Sequence, residues 1–298
     1  MNSYPKIHNV GHPSLDWFFD EPVEVEEKVD GSQFSFSVDI DGGELHFRSK
    51  RATIYPEAAG MFEAGVRAIT EIKDRLVPGW VYRGEYLAKP KHNCLAYERV
   101  PRRHVILFDV MMAPERYMPR VQLWNHATDL GMDCVPLLYE GLVTSPQAVQ
   151  HLLSLQSVLG GEIEGLVFKR RNNPKFGRDD KPLIAKHVRE RFREVQNSKA
   201  FKVPKQEIIE AVIDRYRTAA RWEKAVQHLR DDGILLGEPK DIGALIKESQ
   251  RDLQEECADE IKQILYDSFI KRILRGSVRG LPEWYKDKLL NAQFEEEE

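Results

Sequence analysis

The sequence predicts an α+β chain: an antiparallel-sheet domain over residues 1–204, followed by a small all-helical domain over residues 205–298. Three observations carry that prediction. Alternating or continuously apolar runs, punctuated by glycine and proline turns, recur through the first two thirds of the chain. After Pro204 those runs almost stop, and apolar residues recur at helical spacing instead. Between the two regimes residues 169–205 hold thirteen Lys or Arg against four Asp or Glu, in a chain whose formal net charge is -4.

The elements follow in order. Residues 26–36, EEKVDGSQFSF, place Lys28 where a turn meets a half-buried strand, with Phe34, Phe36 and Val38 alternating beyond it. Gly31 lets the backbone come close to a bound group. A hairpin through Asp41-Gly42-Gly43 continues to Leu45 and Phe47 and ends in the basic run Arg48, Lys50 and Arg51. Residues 57–76 read as a helix, with Met61, Val66, Ile69, Ile72 and Leu76 on one broad face. The strand run at 80–87 places Glu85 among aromatic and apolar residues, and the run at 104–112 is apolar enough to be covered on both faces. Ser145-Pro146 opens a helix that Gly160-Gly161 closes, and strands at 164–169 and 183–186 follow. In the helical part Gly233 and Gly276 read as helix stops, and Pro282 begins a last short helix. The run Glu295 to Glu298 reads as a solvated acidic tail.

With 298 residues and 42% hydrophobic content, the chain can bury a substantial core. Cys94, Cys134 and Cys257 are odd in number and far apart, which fits neither a disulfide framework nor zinc-ligand spacing. The N-terminus has no charged head followed by an apolar run, and no segment approaches bilayer-spanning length. A cytoplasmic location with no membrane partner is the expectation, and no protein partner is implied.

Five strand-associated stretches carry charge where strands favour apolar residues: Lys28 with Asp30, Lys50 with Arg51, Glu85, Glu164 with Lys169, and Lys186. Each alone has a structural explanation. Phe108 alone reads as core, Glu85 with Arg83 or Glu164 with Lys169 as a cross-strand ion pair, and Arg189, Arg191 and Arg193 as a solvated face. Together they describe a pocket that holds a nucleoside triphosphate and transfers its nucleotidyl group to a lysine. An uncharged amine is needed for that step, and Lys169 and Lys186 near Lys28 would lower its pKa by repulsion. Glu85 suits ribose hydroxyls, Asp30 and Glu164 suit magnesium, directly or through its waters, and Phe108 offers a flat surface for a purine.

In order and spelling, EKVDG, FRSKR, YRGEYL, VILFDV, EGLVFK and LIAK resemble motifs I, Ia, III, IIIa, IV and V of the covalent nucleotidyltransferases, the superfamily of ATP-dependent ligases and capping enzymes. KHNCLAYERVPRRHVILFDV and the helical tail, which has no run of short strands for an OB barrel, resemble the RNA ligases of the T4 RNA ligase 2 type. The resemblance covers about residues 23–193 and implies an ATP-grasp-like adenylylation domain. It implies that Lys28 is adenylylated, that Glu27 lies near the adenine edge, and that Arg51 contacts ribose or phosphate, with Lys50 and Arg48 as alternatives in a shifted register. It further implies Glu85 on the nucleotide, Phe108 stacked on adenine, and Glu164 as the motif IV glutamate, with Asp30, Glu85 and Glu164 positioning waters on Mg2+ or Mn2+. Lys169 closes motif IV. Motif V departs from the family: Ile184 stands at the first lysine position and only Lys186 remains, which leaves Lys181 or Arg189 to supply the missing charge.

The implied activity is ATP-dependent RNA ligation of 5′-phosphate and 3′-hydroxyl ends through a lysine-AMP intermediate, with RNA as partner and the basic stretch tracking its backbone. The rivals are a DNA ligase, a GTP-dependent capping-type guanylyltransferase, and a non-catalytic nucleic-acid end-binding protein.

Overall fold

The alternating segments divide between two sheets. The computed structural model describes residues 1–171, 174, 176–177, 181–189 and 208–295. Among these the strands are β1 (Ile7–Asn9), β2 (Val23–Lys28), β3 (Ser32–Val38), β4 (Leu45–Ser49), β5 (Thr53–Ile54) and β6 (Val81–Tyr86). They continue with β7 (Val105–Ala113), β8 (Arg116–Tyr117), β9 (Asp133–Cys134), β10 (Leu137–Gly141), β11 (Gly165–Lys169) and β12 (Ile184–Val188). The helices are α1 (Glu63–Thr70), α2 (Arg120–Asp129), α3 (Ile208–Tyr216), α4 (Ala219–Asp231), α5 (Ile242–Ser277) and α6 (Leu281–Glu295).

One sheet has the order β1-β12-β11-β2-β10, and the other runs β5-β4-β3-β6-β7-β8 with β9 beside β7. Most pairs are antiparallel, as the hairpin signals require. The exceptions are β1 on β12 and β9 on β7, both parallel and too short to leave a pattern in the sequence. The stretch 26–36 is not one strand beside a turn. The chain leaves the first sheet after Lys28 and enters the second at Ser32, so Lys28 stands at the crossing.

Gly31 makes that crossing sterically possible. A Cβ there would lie 2.6 Å from the Tyr86 carbonyl oxygen and 2.7 Å from Glu85 Cγ.

Burial explains the spelling of the strands. In β2, Val23 and Val25 enter a core with Phe18, Val149, Leu166 and Phe168, while Glu24 and Glu26, one residue out of step, are buried on the opposite face. Phe34, Phe36, Phe47, Tyr82 and Tyr86 join Val66, Ile69 and Leu123 in a second core that involves α1 and α2.

The helix expected over 57–76 is shorter. Two 3-10 turns precede α1 and a third follows it, and Gly60, with a φ of +54°, opens the second. The helix expected over roughly 146–159 is a 3-10 run, Pro146–Ser154: Ser145 opens it as foreseen, its side chain accepting the Ala148 N–H, but it ends at Ser154 and not at Gly160-Gly161. Helix α2 gave no amphipathic signal, since Val121 and Trp124 face solvent while Leu123 and Ala127 are buried.

By contacts the described chain groups into residues 1–194 with 219–249, and residues 195–218 with 250–298. The sequence boundary at 204 places α4 with the helical part. In the structure α4 belongs with the sheets, because its side chains hydrogen-bond to the start of β3. In the second unit Ile208, Val212 and Tyr216 of α3 pack with Leu253, Cys257 and Ile261 of α5, and Arg215 pairs with Glu260. Gly233 ends α4 with a φ of +69°, as expected; Gly276 lies inside α5, and the break falls at Gly280, φ +86°. No described helix is long and apolar enough to cross a membrane. Arg191, Arg193 and most of the basic stretch 169–205 lie outside the described residues, as does the acidic tail apart from Glu295.

Candidate active site

The centre of the site is the Lys28 amine at the end of β2. Antiparallel pairing places Lys28 opposite Gly165 of β11, one residue from Glu164, and Lys28 Nζ donates to Glu164 Oε2 at 2.6 Å. Glu85 reaches the same place from β6, and Asp30 from the crossing itself. Burial pushes the Lys28 ammonium towards neutrality, but the charges of Glu164, Glu85 and Asp30 outweigh it, and the pKa lies above its ordinary value. Lowering by Lys169 and Lys186 was the expectation. The strands instead surround this amine with carboxylates.

Those carboxylates bear the reciprocal strain. Burial raises Glu85 to about 8; Lys28 opposes the rise, and Glu164, Asp30 and Asp231 reinforce it. Glu164 is also raised, by burial first, with Lys28 and Lys186 working against it. Three carboxylates thus gather around one ammonium with too little positive charge for all of them. That donor set suits a hard divalent cation. It does not form a closed cage: among the described residues the only acidic or histidine group whose ligand atoms all lie within 4.8 Å of one another is Asp39, Glu44 and His46, on the β3–β4 hairpin. Water-bridged holding fits Asp30, Glu85 and Glu164 better than direct ligation by all three.

Asp30 is already engaged. Its Oδ2 accepts the Cys94 and Leu95 N–H groups at 2.8 Å each, Asn93 Nδ2 lies 3.3 Å from Oδ1, and its own N–H donates to Tyr97 OH at 2.8 Å. The KHNCLAY segment is therefore folded around Asp30. Glu27 accepts from Ser157 Oγ at 2.5 Å and from the Val158 N–H at 3.0 Å. Its pKa is raised by burial against those two bonds.

Lys169 is elsewhere. Its amine contacts Glu26 Oε2 at 2.6 Å and Asp109 Oδ2 at 3.1 Å and donates to the Phe108 carbonyl at 3.0 Å. Arg171 joins the same buried group through Glu24 at 2.8 Å, Glu26 at 2.7 Å and Asp109 at 2.5 Å, and Tyr4 donates to Asp109. Burial works against an ionised Asp109, but Lys169 and Arg171 hold its carboxyl below the ordinary range. This network ties β2 and β11 of one sheet to β7 of the other. Sequence reasoning missed it: Glu24 and Glu26 were not singled out, and Arg171 was read only as part of the basic stretch 169–205.

Phe108 is partly buried, with the Tyr4 ring edge-on at 5.1 Å and the Lys169 ammonium 5.4 Å from its centroid. The ion pairs Glu85 with Arg83 and Glu164 with Lys169, the purely structural alternative for these charges, do not form: Arg83 is fully buried and donates to Ser35 Oγ and the Asn2 carbonyl. Lys186, on β12, acts on Glu164 electrostatically. Ile184 is buried with Tyr4 and Val167, so the vacant lysine position of motif V serves the core. Lys181 reaches Ser3 Oγ at 3.5 Å, and Arg189 binds the Leu153 carbonyl and Glu162. Neither contact brings a substitute cation to Lys28.

Arg51, between β4 and β5, pairs with Glu248 at 2.6 Å and lies 3.9 Å from Asp232. Gln227 and Asp231 of α4 also reach the crossing, at Gly31 and Ser32. No local pattern marks these residues, which lie about two hundred positions or more from Lys28.

The RNA ligase family matches residues 21–188. No curated protein matches the chain. Among solved structures, the RNA ligase of Naegleria gruberi with pyrophosphate is 19% identical with a TM-score of 0.45, covering 63% of this chain and 56% of that one. A mutant of the same enzyme with ATP and Mn is 16% identical, TM-score 0.44, with 63% and 56% covered. A putative ATP-dependent DNA ligase from Aquifex aeolicus is 16% identical, TM-score 0.46, with 88% and 67% covered. The match thus spans a little over half the length of the Naegleria chains. With more than half of its own length matched, including Lys28, Glu85, Glu164 and Lys186, the chain belongs to the RNA ligase family of covalent nucleotidyltransferases.

Proposed function

We propose that the protein is an ATP-dependent RNA ligase that seals 5′-phosphate to 3′-hydroxyl ends and uses Lys28 as its nucleophile. The observation that carries this reading is the Lys28 amine at the sheet crossing, 2.6 Å from Glu164 and within the field of Glu85 and Asp30.

The first step forms a bond between Lys28 Nζ and the α-phosphorus of ATP and breaks the bond to pyrophosphate, which leaves. Glu164, at hydrogen-bond distance, is the acceptor for the proton that the ammonium must lose. A divalent cation held through water by Glu85, Glu164 and Asp30 would screen these carboxylates from Lys28 and favour the neutral amine. Lys186 is the cation we assign to the phosphates, Phe108 the surface for adenine, and Arg51 the ribose or phosphate contact once it leaves Glu248. Lys169 braces the Phe108 strand through its carbonyl. In the second step a 5′-phosphate oxygen attacks the AMP phosphorus and releases Lys28. In the third a 3′-hydroxyl displaces AMP and closes the phosphodiester.

Incubation with labelled ATP or GTP and magnesium tests the first step. We expect a covalent label from ATP alone, mapped by mass spectrometry to Lys28 and abolished in Lys28→Ala. A label on another lysine, or none, overturns the assignment, and GTP labelling favours a capping-type enzyme. Sealing of nicks with RNA or DNA on the 3′-hydroxyl side then separates RNA ligase from DNA ligase.

A further inference from the structure

We infer that Gln227 and Asp231, on α4, are positioning residues that fix the Lys28 turn for nucleotidyl transfer, so that part of the carboxy-terminal helical segment serves the first chemical step. The inference rests on the reading of Lys28 as nucleophile.

Only Val29, Asp30 and Gly31 separate Lys28 from Ser32, so whatever holds Gly31 and Ser32 sets the direction of the Lys28 side chain. Two side-chain amides converge on the Gly31 carbonyl: Asn93 Nδ2 donates at 2.8 Å and Gln227 Nε2 at 2.9 Å. Ser32 Oγ donates to Asp231 Oδ2 at 2.8 Å and lies 3.0 Å from His92 Nε2. His92 Nδ1 accepts the Ala88 N–H at 3.1 Å, so the neutral ring carries its proton on Nε2 and donates to Ser32, whose own hydroxyl proton goes to Asp231. Ala88, His92, Ser32 and Asp231 thus form one directed relay of hydrogen bonds. Ser32 and His92 are both buried, which adds to the strength of each bond.

Gln227 and Asp231 are four residues apart on α4 and present one face to the crossing. Asn93 and His92 hold the same two residues from the sheet side. The turn is clamped between a loop that follows β6 and a helix far along the chain, with the β6 backbone against Gly31. Neither α4 side chain has a hydrogen bond to Lys28 among the described residues: Gln227 acts through the Gly31 carbonyl, and Asp231 through the Ser32 hydroxyl and by its charge on Glu85. Misplacing a reacting group by about 1 Å costs up to ~100-fold in rate.

The test is single-turnover self-adenylylation of the full chain with labelled ATP, alongside nucleotide affinity and thermal unfolding. We expect Gln227→Glu, which keeps the shape but loses the donor, and Asp231→Ala to slow the step by about tenfold or more, with ATP affinity within about twofold. Asp231→Asn keeps an oxygen for the Ser32 hydroxyl and should recover most of the rate. Hydrogen exchange at residues 29–34 should quicken in the slow variants and not in Asp231→Asn. Unchanged rates, or rates that fall only in step with ATP affinity and melting temperature, overturn the proposal. Wild-type protein that forms no adduct overturns the ligase reading instead. Exchange at residues 29–34 then decides alone whether α4 fixes the turn, and unchanged exchange in Gln227→Glu refutes it.

Discussion

Glu85 is the residue at which folding and function pull hardest against each other. Burial among Glu164, Asp30 and Asp231 raises its pKa to about 8, far above that of a carboxyl in an unfolded chain. Between those two values the unfolded state gives up the proton while the folded state keeps it, so stability falls as pH rises through this window. Glu85→Gln removes the effect. It should leave unfolding at pH 4.5 nearly unchanged and raise the melting temperature by several degrees at pH 8, read by calorimetry without nucleotide or metal. An equal change at both pH values would mean that Glu85 ionises normally in the fold. The same variant should lose adenylylation, since a group held in an unfavourable state is how a site stores affinity for a cation.

At the scale of elements, the strands decide which charges meet. The Val-Glu-Val-Glu alternation of β2 puts its valines into one core and Glu24 and Glu26 against Lys169, Arg171 and β7. A buried network that loses one cation leaves its carboxylates uncompensated. Lys169→Met should therefore cost about 3 kcal/mol in urea unfolding, while Lys169→Arg should cost less; no loss in the first would show that Arg171 alone suffices. The charged strands themselves were legible in the sequence, because a lysine or glutamate in an apolar strand breaks the pattern. Their partners were not. Lys28 and Glu164 meet through the β2–β11 register, and the sequence holds no record of register between strands 136 residues apart. Hence Glu164 was foreseen in the site but not on Lys28, and Lys169 was foreseen beside Lys28 but lies on Glu26 and Asp109.

At the scale of the molecule, the change from strand to helix spacing after Pro204 is real, yet the contacts do not divide the chain there. Spacing reports local structure; contacts depend on where a helix packs, which α4 alone does not spell out. Residues 219–249 group with the sheets and supply Gln227 to Gly31, Asp231 to Ser32, and Asp232 and Glu248 to Arg51. A chain ending at 204 leaves the Ser32 hydroxyl with His92 alone and takes Glu248 and Asp232 from a guanidinium that is mostly buried. A chain ending at 249 keeps all of these groups together. At about 1 kcal/mol for each neutral hydrogen bond and more for the Arg51 pair, the shorter chain should melt roughly 5–10 °C below the longer one. Thermal unfolding of the two, followed by circular dichroism at matched concentration, measures the difference. If the chain ending at 204 melts as high as the one ending at 249, then α4 adds nothing to the sheets, and the boundary drawn from residue spacing is the physical one.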